Sequence, residues 1–284
     1  MNHLLLTRFQ GAAIGGNILY TDRIQIAPNQ LIVDTNSLLV TGFDSLIRHG
    51  KFNDSDWSQS IFTDILHPER SLVAMLPLML FFHDDRVKLR EILVDVSHSW
   101  QLDWETCSSA VAIGYIISRS LTESLNPSTI IAQLLDETIN LHPQVFQELS
   151  TLDRVCDRPS SLYQVAQRFN TNPHPIITPT VLAIYCFLST PEDFSLATRR
   201  AYQIERSQFT CALTGILAGA HNSLTGIPLN GYIATQQREQ WLSTAASLLA
   251  AWAGVYQQAS SPPFSAASSY PLAVASPRVI QRRD

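Results

Sequence analysis

Apolar residues recur three and four positions apart along most of this chain, which is the spacing of one face of an α-helix. Leu38, Leu39, Phe43 and Leu46 form such a face within residues 35–49. The same spacing predicts further helices, most of them bounded by a glycine, a proline or a polar turn. They cover residues 3–19, 57–66, 71–82, 86–94, 103–121, 128–141, 143–152, 160–169, 176–188, 191–206, 209–223 and 236–257.

Strand patterns are weak by comparison. Residues 28–34 are predicted to be an irregular connection, and their apolar part, Leu31–Val33, is too short to build a sheet around. The pattern predicts an all-α fold with little or no sheet, in a single large domain over residues 1–258. Residues 259–284 are rich in serine, alanine and proline. Such a segment buries too little apolar surface to offset its ordering entropy, so we predict a mostly disordered tail that does not pack on the domain.

The helix predicted over 209–223 carries an unusual row of small residues. Ala212, Gly215, Ala218 and Gly219 lie three or four positions apart and would form a groove on one side of the helix. Glycine inside a helix costs roughly 1 kcal/mol relative to alanine. Two glycines in one helix therefore indicate a packing or functional reason, and the groove predicts close approach of another helix backbone.

Two apolar stretches bear on membrane insertion and targeting. Leu72–Phe82 is the most hydrophobic run, but a membrane-spanning helix needs about 20 apolar residues. It is therefore predicted to be a buried core helix. Leu4–Leu6 is too short for the hydrophobic part of a signal peptide. We expect a cytoplasmic protein that does not enter a membrane.

The net charge and the spacing of the cysteines exclude several classes of function. The 284 residues carry a net charge of −5 and no long basic run, so we expect no nucleic-acid partner. The chain has no nucleophile-elbow, zinc-protease or phosphate-loop motif. Its cysteines are widely spaced, which favours reduced core thiols over a disulfide or zinc framework. They stand at positions 107, 156, 186 and 211.

Residues 215–228 resemble the C-terminal signature helix of the ADP-ribosylglycohydrolase family. Weaker resemblances lie at 8–17, 34–46 and 71–80, in the same order as in the family. The resemblance implies hydrolysis of the glycosidic bond between ADP-ribose and a protein side chain or small acceptor. It also implies two magnesium ions, which aspartates from two separate turns would hold.

The first of these turns corresponds to Val33–Asn36. The family's Asp-Asp-Thr is reduced here to one aspartate, Asp34, followed by Thr35 and Asn36. These three residues are candidate ligand-binding residues. The alternative is that Asp34 or Thr35 only caps the N-terminus of the helix over 35–49.

The second turn has lost its carboxylates. The family's Gly-Gly-Asp-x-Asp-Thr corresponds to Ile204–Thr210, and the four positions Asp-x-Asp-Thr fall on 206–209 or on 207–210. Neither register contains an aspartate. Glu205, Arg206, Ser207 and Gln208 are the candidate ligand-binding residues of this turn. Arg206 could replace a metal charge and bind a phosphate or carboxylate, or it could be a solvated charge at a helix end.

Other parts of the resemblance are also altered. The family's aspartate is missing near Gly16 and Asn17, and Leu72–Leu76 is more apolar than the matching helix, which faces the family's substrate cleft. His98 lies in a segment that matches the family's Thr-His turn, although a histidine there is more often structural. Glu205 and Asp34 could form an acid–base pair if the fold brings them together.

Three functions are consistent with this pattern. The leading hypothesis is a family member that has lost the magnesium site and the hydrolase activity, and that keeps a cleft for ADP-ribose, a related nucleotide or a protein partner. It requires no cofactor. The first alternative is an active hydrolase that uses displaced carboxylates and Mg²⁺, and the second is a structural protein on the same fold. Catalytic residues are not predicted.

Overall fold

A computed structural model of the chain describes residues 3–20, 26–28, 30–57, 67–138, 142–156, 160–171, 173–228 and 235–255. Within these ranges the fold is all-α, as predicted, with thirteen bounded α-helices, a further helical stretch at 54–57, a 3-10 turn at Leu224–Gly226 and one short hairpin. The helices are α1 (His3–Gly15), α2 (Gln30–His49), α3 (Pro68–Ala74), α4 (Leu76–Phe81), α5 (Arg86–Ser99), α6 (Trp104–Leu121), α7 (Ile130–Thr138), α8 (Pro143–Cys156), α9 (Leu162–Asn170), α10 (Ile177–Leu188), α11 (Phe194–Glu205), α12 (Gln208–Asn222) and α13 (Thr235–Trp252). The hairpin pairs β1 (Ile18–Tyr20) with β2 (Ile26–Pro28) in antiparallel register.

The groove of small residues on α12 is filled by the backbone of α1. A Cβ added to Gly215 would lie 2.1 Å from the carbonyl oxygen of Gly15, and one added to Gly219 would lie 2.1 Å from that of Gly11. The two helices run antiparallel, because the earlier glycine of one faces the later glycine of the other. The predicted close approach of a second helix is confirmed, and both partners contribute a Gly-x-x-x-Gly pair.

The core is built around three helices that are buried almost along their whole length. All twelve residues of α10 are buried, as are Phe209–Ala220 of α12 and nearly all of α6. These three helices contact one another, while α1 and α11 also pack on α12. The predictions of buried helices over 103–121 and 176–188 are confirmed. The glycine-lined α12 is therefore the axis on which the other helices are placed.

The start of the chain differs from the prediction at two boundaries. Helix α1 ends at Gly15 rather than at residue 19, and Asn17 stabilises that end because its backbone and side-chain amides donate to the carbonyls of Ile14 and Ala13. Helix α2 begins at Gln30, so the predicted irregular connection over 28–34 is wrong for most of its length.

Two further helices have different bounds from those predicted. The run 71–82 is not one helix: α3 and α4 meet at Met75, because Pro77 has no N–H group and cannot continue the helical hydrogen bonds. Helix α5 continues to Ser99 rather than Val94. His98 therefore lies in a helical last turn, where it is exposed and packs edge-on against the Trp104 ring at 5.3 Å.

Apart from Trp57, the predicted helix over 57–66 lies outside the described residues. The tail over 259–284 lies outside the described residues. Three cysteines are buried as predicted, whereas Cys156, at the end of α8, is exposed. Among the described helices, none combines the length and the apolar character that crossing a bilayer requires.

Candidate functional site

The two segments predicted to form the site meet in the structure. The side-chain oxygen of Gln208, at the start of α12, accepts a hydrogen bond of 3.1 Å from the backbone N–H of Leu31. Leu31 lies in the first turn of α2, where backbone N–H groups have no partner within the helix. A side chain from residue 208 thus caps a helix that begins 178 residues earlier, at Gln30. The candidate residues of the two turns share one region of the fold.

The residues of the first turn lie inside helix α2. Thr35 is fully buried, and its hydroxyl donates to the carbonyl of Leu31 at 2.6 Å. Asn36 lies on the same helix and is half-buried. The alternative that Asp34 or Thr35 caps this helix is wrong, because α2 begins at Gln30. The side chain of Asp34 lies outside what the structure describes, so its pairing with Glu205 stays a prediction.

The second turn joins α11 to α12 through a left-handed residue. Arg206 has φ 55° and ψ 17°, and its N–H donates to the carbonyl of Tyr202 at 2.9 Å. Glycine is the usual residue in this position at a helix end, because a Cβ makes the left-handed conformation unfavourable. Arg206 itself is exposed, at the C-terminal end of α11.

Residues from the segment 207–210 cap the N-terminus of α12 and pack in the core. The Ser207 hydroxyl caps the helix by accepting from the N–H of Thr210 at 3.3 Å. Phe209 is 1% exposed and belongs to the hydrophobic core. Thr210 is fully buried, and its hydroxyl donates to the Glu205 carboxylate at 2.5 Å.

A second carboxylate, Glu69, lies close enough to Glu205 to interact with it electrostatically. Burial raises the pKa of the Glu205 carboxyl, the hydrogen bond from Thr210 lowers it, and the charge of Glu69 raises it further. Glu69 lies in the first turn of α3. Burial also raises its pKa, whereas His67 and Arg70 act in the opposite direction. Both carboxyl groups are thus partly buried, and burial raises the pKa of each.

Comparison with known proteins identifies the family. The sequence model of the ADP-ribosylglycohydrolase family matches residues 33–258, well over half of the chain. The chain belongs to the ADP-ribosylglycohydrolase family. The match begins in α2, so the resemblance predicted at 8–17 precedes the matched range.

A solved structure supports the same fold. A chain named "ADP-ribosylglycohydrolase-related protein complex" superposes on this ADP-ribosylglycohydrolase-family protein with a TM-score of 0.58. The superposition covers 86% of this chain and 95% of that chain at 16% sequence identity. At this level of identity the likeness concerns the fold alone. No curated protein matches the sequence.

The left-handed backbone of Arg206 favours one of the two registers for the family's second turn. If Arg206 takes the place of the second glycine in Gly-Gly-Asp-x-Asp-Thr, the four following positions are Ser207, Gln208, Phe209 and Thr210. In that register the final threonine is kept. Serine at the first aspartate position still caps the helix, as aspartate would, and a buried phenylalanine stands at the second.

These residues do not fit two magnesium ions. Mg²⁺ binds hard oxygen ligands, and a dinuclear site needs several carboxylates to offset its charge. The turn instead offers a capping hydroxyl, an amide oxygen that accepts from Leu31, and the buried ring of Phe209. Among the described residues, no group of three His, Cys, Asp or Glu side chains could hold a metal ion.

Sequence reasoning missed Glu69. Glu69 lies two residues before the segment 71–80, which resembles a helix that lines the cleft in the family. Its closeness to that segment was the one feature of the sequence that could have indicated a role at the site. The proximity of Glu69 to Glu205 depends on how α3 packs near the α11–α12 turn, which no local pattern encodes.

Proposed function

We propose that this protein is an ADP-ribosylglycohydrolase-family member that no longer holds the dinuclear magnesium site and does not hydrolyse ADP-ribosyl groups. Its remaining function is to bind ADP-ribose or a related nucleotide, or a protein partner, at the region between α2 and the α11–α12 turn. Binding needs no metal cofactor in this proposal. The protein acts in the cytoplasm.

One observation carries this proposal: the side chains of the second turn have structural roles. Ser207 caps α12, Gln208 caps α2, and Phe209 fills the core. A turn that held metal ions would present its side-chain oxygens to them instead. The exposed guanidinium of Arg206 supplies a positive charge at the same turn, which suits a phosphate group of the nucleotide.

Two measurements test the proposal together. The purified protein is incubated with ADP-ribosyl-arginine with and without Mg²⁺, and release of ADP-ribose is followed by chromatography. We expect no release in either case. In the absence of metal, ADP-ribose should raise the melting temperature by mass action, and Arg206→Gln should reduce that ligand-induced rise. Magnesium-dependent release of ADP-ribose would contradict the proposal.

A second candidate function, hydrolysis by displaced carboxylates, is favoured by the pair Glu69 and Glu205. Many glycosidases use two carboxyl groups, one of which donates a proton to the leaving group while the other assists the attacking water or nucleophile. A raised pKa keeps a carboxyl group protonated closer to neutral pH, as a general acid requires. Burial acts in this direction on both residues.

The two candidates differ in their response to chelation and to mutation. If Glu69 and Glu205 carry out hydrolysis, ADP-ribosyl-arginine is cleaved in the presence of EDTA, and Glu69→Gln and Glu205→Gln each abolish the cleavage. The exposed Asp95 of α5 provides a control, because Asp95→Asn should leave cleavage unchanged. Absence of cleavage in the wild-type protein would leave the binding function as the surviving candidate.

A further inference from the structure

An open cleft of about 510 Å³ lies between α8 and α9. Its size falls in the range of small-molecule binding sites. One wall comes from the last turns of α8 and the other from one face of α9, since Gln164 and Arg168 are four residues apart. The lining residues are Thr151, Arg154, Val155, Ser160, Gln164, Val165 and Arg168. None of them belongs to the region between α2 and the α11–α12 turn.

Two arginines from different helices line this cleft. Arg154 is oriented by its own helix, because its guanidinium donates to the carbonyl of Ser150 at 3.2 Å and to the hydroxyl of Thr151 at 3.0 Å. Arg168 has no side-chain hydrogen bond to any residue that the structure describes. Within the described ranges, neither arginine forms an ion pair.

None of the described residues that line the cleft is acidic. Helix α9 contains no carboxylate, and the acidic residues of α8, Glu148 and Asp153, do not line the cleft. The remaining polar groups are the hydroxyls of Ser160 and Thr151 and the amide of Gln164. The N-terminus of α9 adds partial positive charge near Ser160. In the part of the lining that the structure describes, two positive charges are thus combined with neutral hydrogen-bonding groups.

We propose that the cleft between α8 and α9 binds a phosphate group, with Arg154 and Arg168 holding it from opposite walls. Guanidinium groups form paired, charge-assisted hydrogen bonds with phosphate oxygens. Val155 adds apolar surface to the lining, on which a small organic group attached to the phosphate can pack. The site accepts either free phosphate or the phosphate of a small sugar ester, and its binding does not depend on the function proposed above.

The test measures binding of inorganic phosphate and of ribose 5-phosphate by calorimetry and thermal shift. Sodium chloride keeps the ionic strength constant, so a general salt effect cancels. We expect saturable stabilisation by phosphate that chloride does not produce. Equal affinity for the two probes identifies free phosphate as the ligand, and tighter binding of ribose 5-phosphate identifies a sugar phosphate. Stabilisation no greater than that by chloride would overturn the proposal.

Variants assign the binding to this cleft. Arg168→Gln should weaken phosphate binding about tenfold, since it removes a charged hydrogen-bonding partner. Arg90→Gln is the matched control, because Arg90 lies on α5, which packs against α4 and α6. Equal weakening by both variants would show a non-specific charge effect and overturn the assignment.

Gln164→Glu separates binding from folding. Ser161 and Gln164 form a capping box at the start of α9, with hydrogen bonds of 2.9 Å and 3.3 Å. Glutamate forms the same capping box and suits the helix N-terminus, so the variant should fold normally. Its negative charge faces the cleft and should abolish saturable phosphate binding. Retention of wild-type affinity by Gln164→Glu would contradict the proposal.

Discussion

The α1–α12 helix pair and the α11–α12 turn both involve α12, yet they constrain their residues in different ways. In the pair, Gly215 and Gly219 meet Gly15 and Gly11 so closely that no other residue fits. In the turn, Ser207 caps α12 and Phe209 lies in the core, so both side chains have structural roles. The helix contact leaves space only for glycine at these four positions, whereas the turn residues act as a helix cap and as part of the core.

The largest effect should come from adding a methyl group to the helix pair. In Gly215→Ala the new Cβ would lie 2.1 Å from the Gly15 carbonyl oxygen, a backbone atom that cannot move without its helix. We expect a loss of about 3 kcal/mol in the free energy of unfolding. Urea unfolding monitored by circular dichroism measures it.

Gly114→Ala is the matched control for this substitution. Its Cβ would meet Leu93 Cδ1 at 2.9 Å and Met79 Cγ at 3.4 Å, which are atoms of flexible side chains. Alanine also favours the helix by about 1 kcal/mol. The net change should be below about 1 kcal/mol, and equal effects of the two substitutions would contradict the close approach of α1 and α12.

A smaller loss is expected at the contact between Gln208 and the first turn of α2. Gln208→Ala removes the acceptor for the Leu31 N–H and should cost about 1 kcal/mol, as for other helix caps. Gln208→Glu keeps an oxygen acceptor and adds a favourable negative charge at the N-terminus of α2. Thermal unfolding should therefore rank wild type and Gln208→Glu above Gln208→Ala, and an unchanged alanine variant would show that the contact is not stabilising.

The buried carboxyl group of Glu205 predicts a dependence of stability on pH. Burial raises its pKa from the model-compound value of 4.5, so the folded protein binds this proton more tightly than the unfolded chain does. Stability therefore falls as pH rises through 4.5 and the raised pKa, and the loss is complete above them. Glu205→Gln removes the charge but keeps an acceptor for Thr210.

We expect the melting temperature of Glu205→Gln to exceed that of the wild type by roughly 2 °C near neutral pH. The difference should shrink in acid, where the wild-type carboxyl is protonated. Melting curves from about pH 4 to about pH 7 measure it, with Asp95→Asn as an exposed control. A difference independent of pH would show that Glu205 titrates alike in the folded and unfolded states.

The smallest expected effect concerns the backbone of the turn. Arg206 has a left-handed conformation that glycine adopts without a steric cost. Glycine also has more conformational freedom in the unfolded chain, which offsets part of this gain. Arg206→Gly should therefore stabilise the protein by about 0.5 kcal/mol. A chemical denaturation midpoint at or below that of the wild type would mean that side-chain contacts of Arg206 outweigh its backbone strain.

The sequence predicts the scaffold better than the site because the two depend on different kinds of information. Helical spacing and the small residues of α12 are local patterns, so they predict the all-α fold and the close helix contact. The start of α2 depends on a hydrogen bond from Gln208 to Leu31, and the carboxylate pair depends on the packing of Glu69 near Glu205. These contacts join segments that are distant in the sequence, so the spacing of apolar residues along the chain does not predict them.

Titration with magnesium tests the central claim most directly. In the proposed function, the side chains of the α11–α12 turn make structural contacts and hold no metal ions. Calorimetric titration of the protein with millimolar MgCl₂ should give no saturable heat, with a family member that carries both acidic turns as the positive control. Saturable binding of about two ions per chain, as in a dinuclear site, would contradict the account.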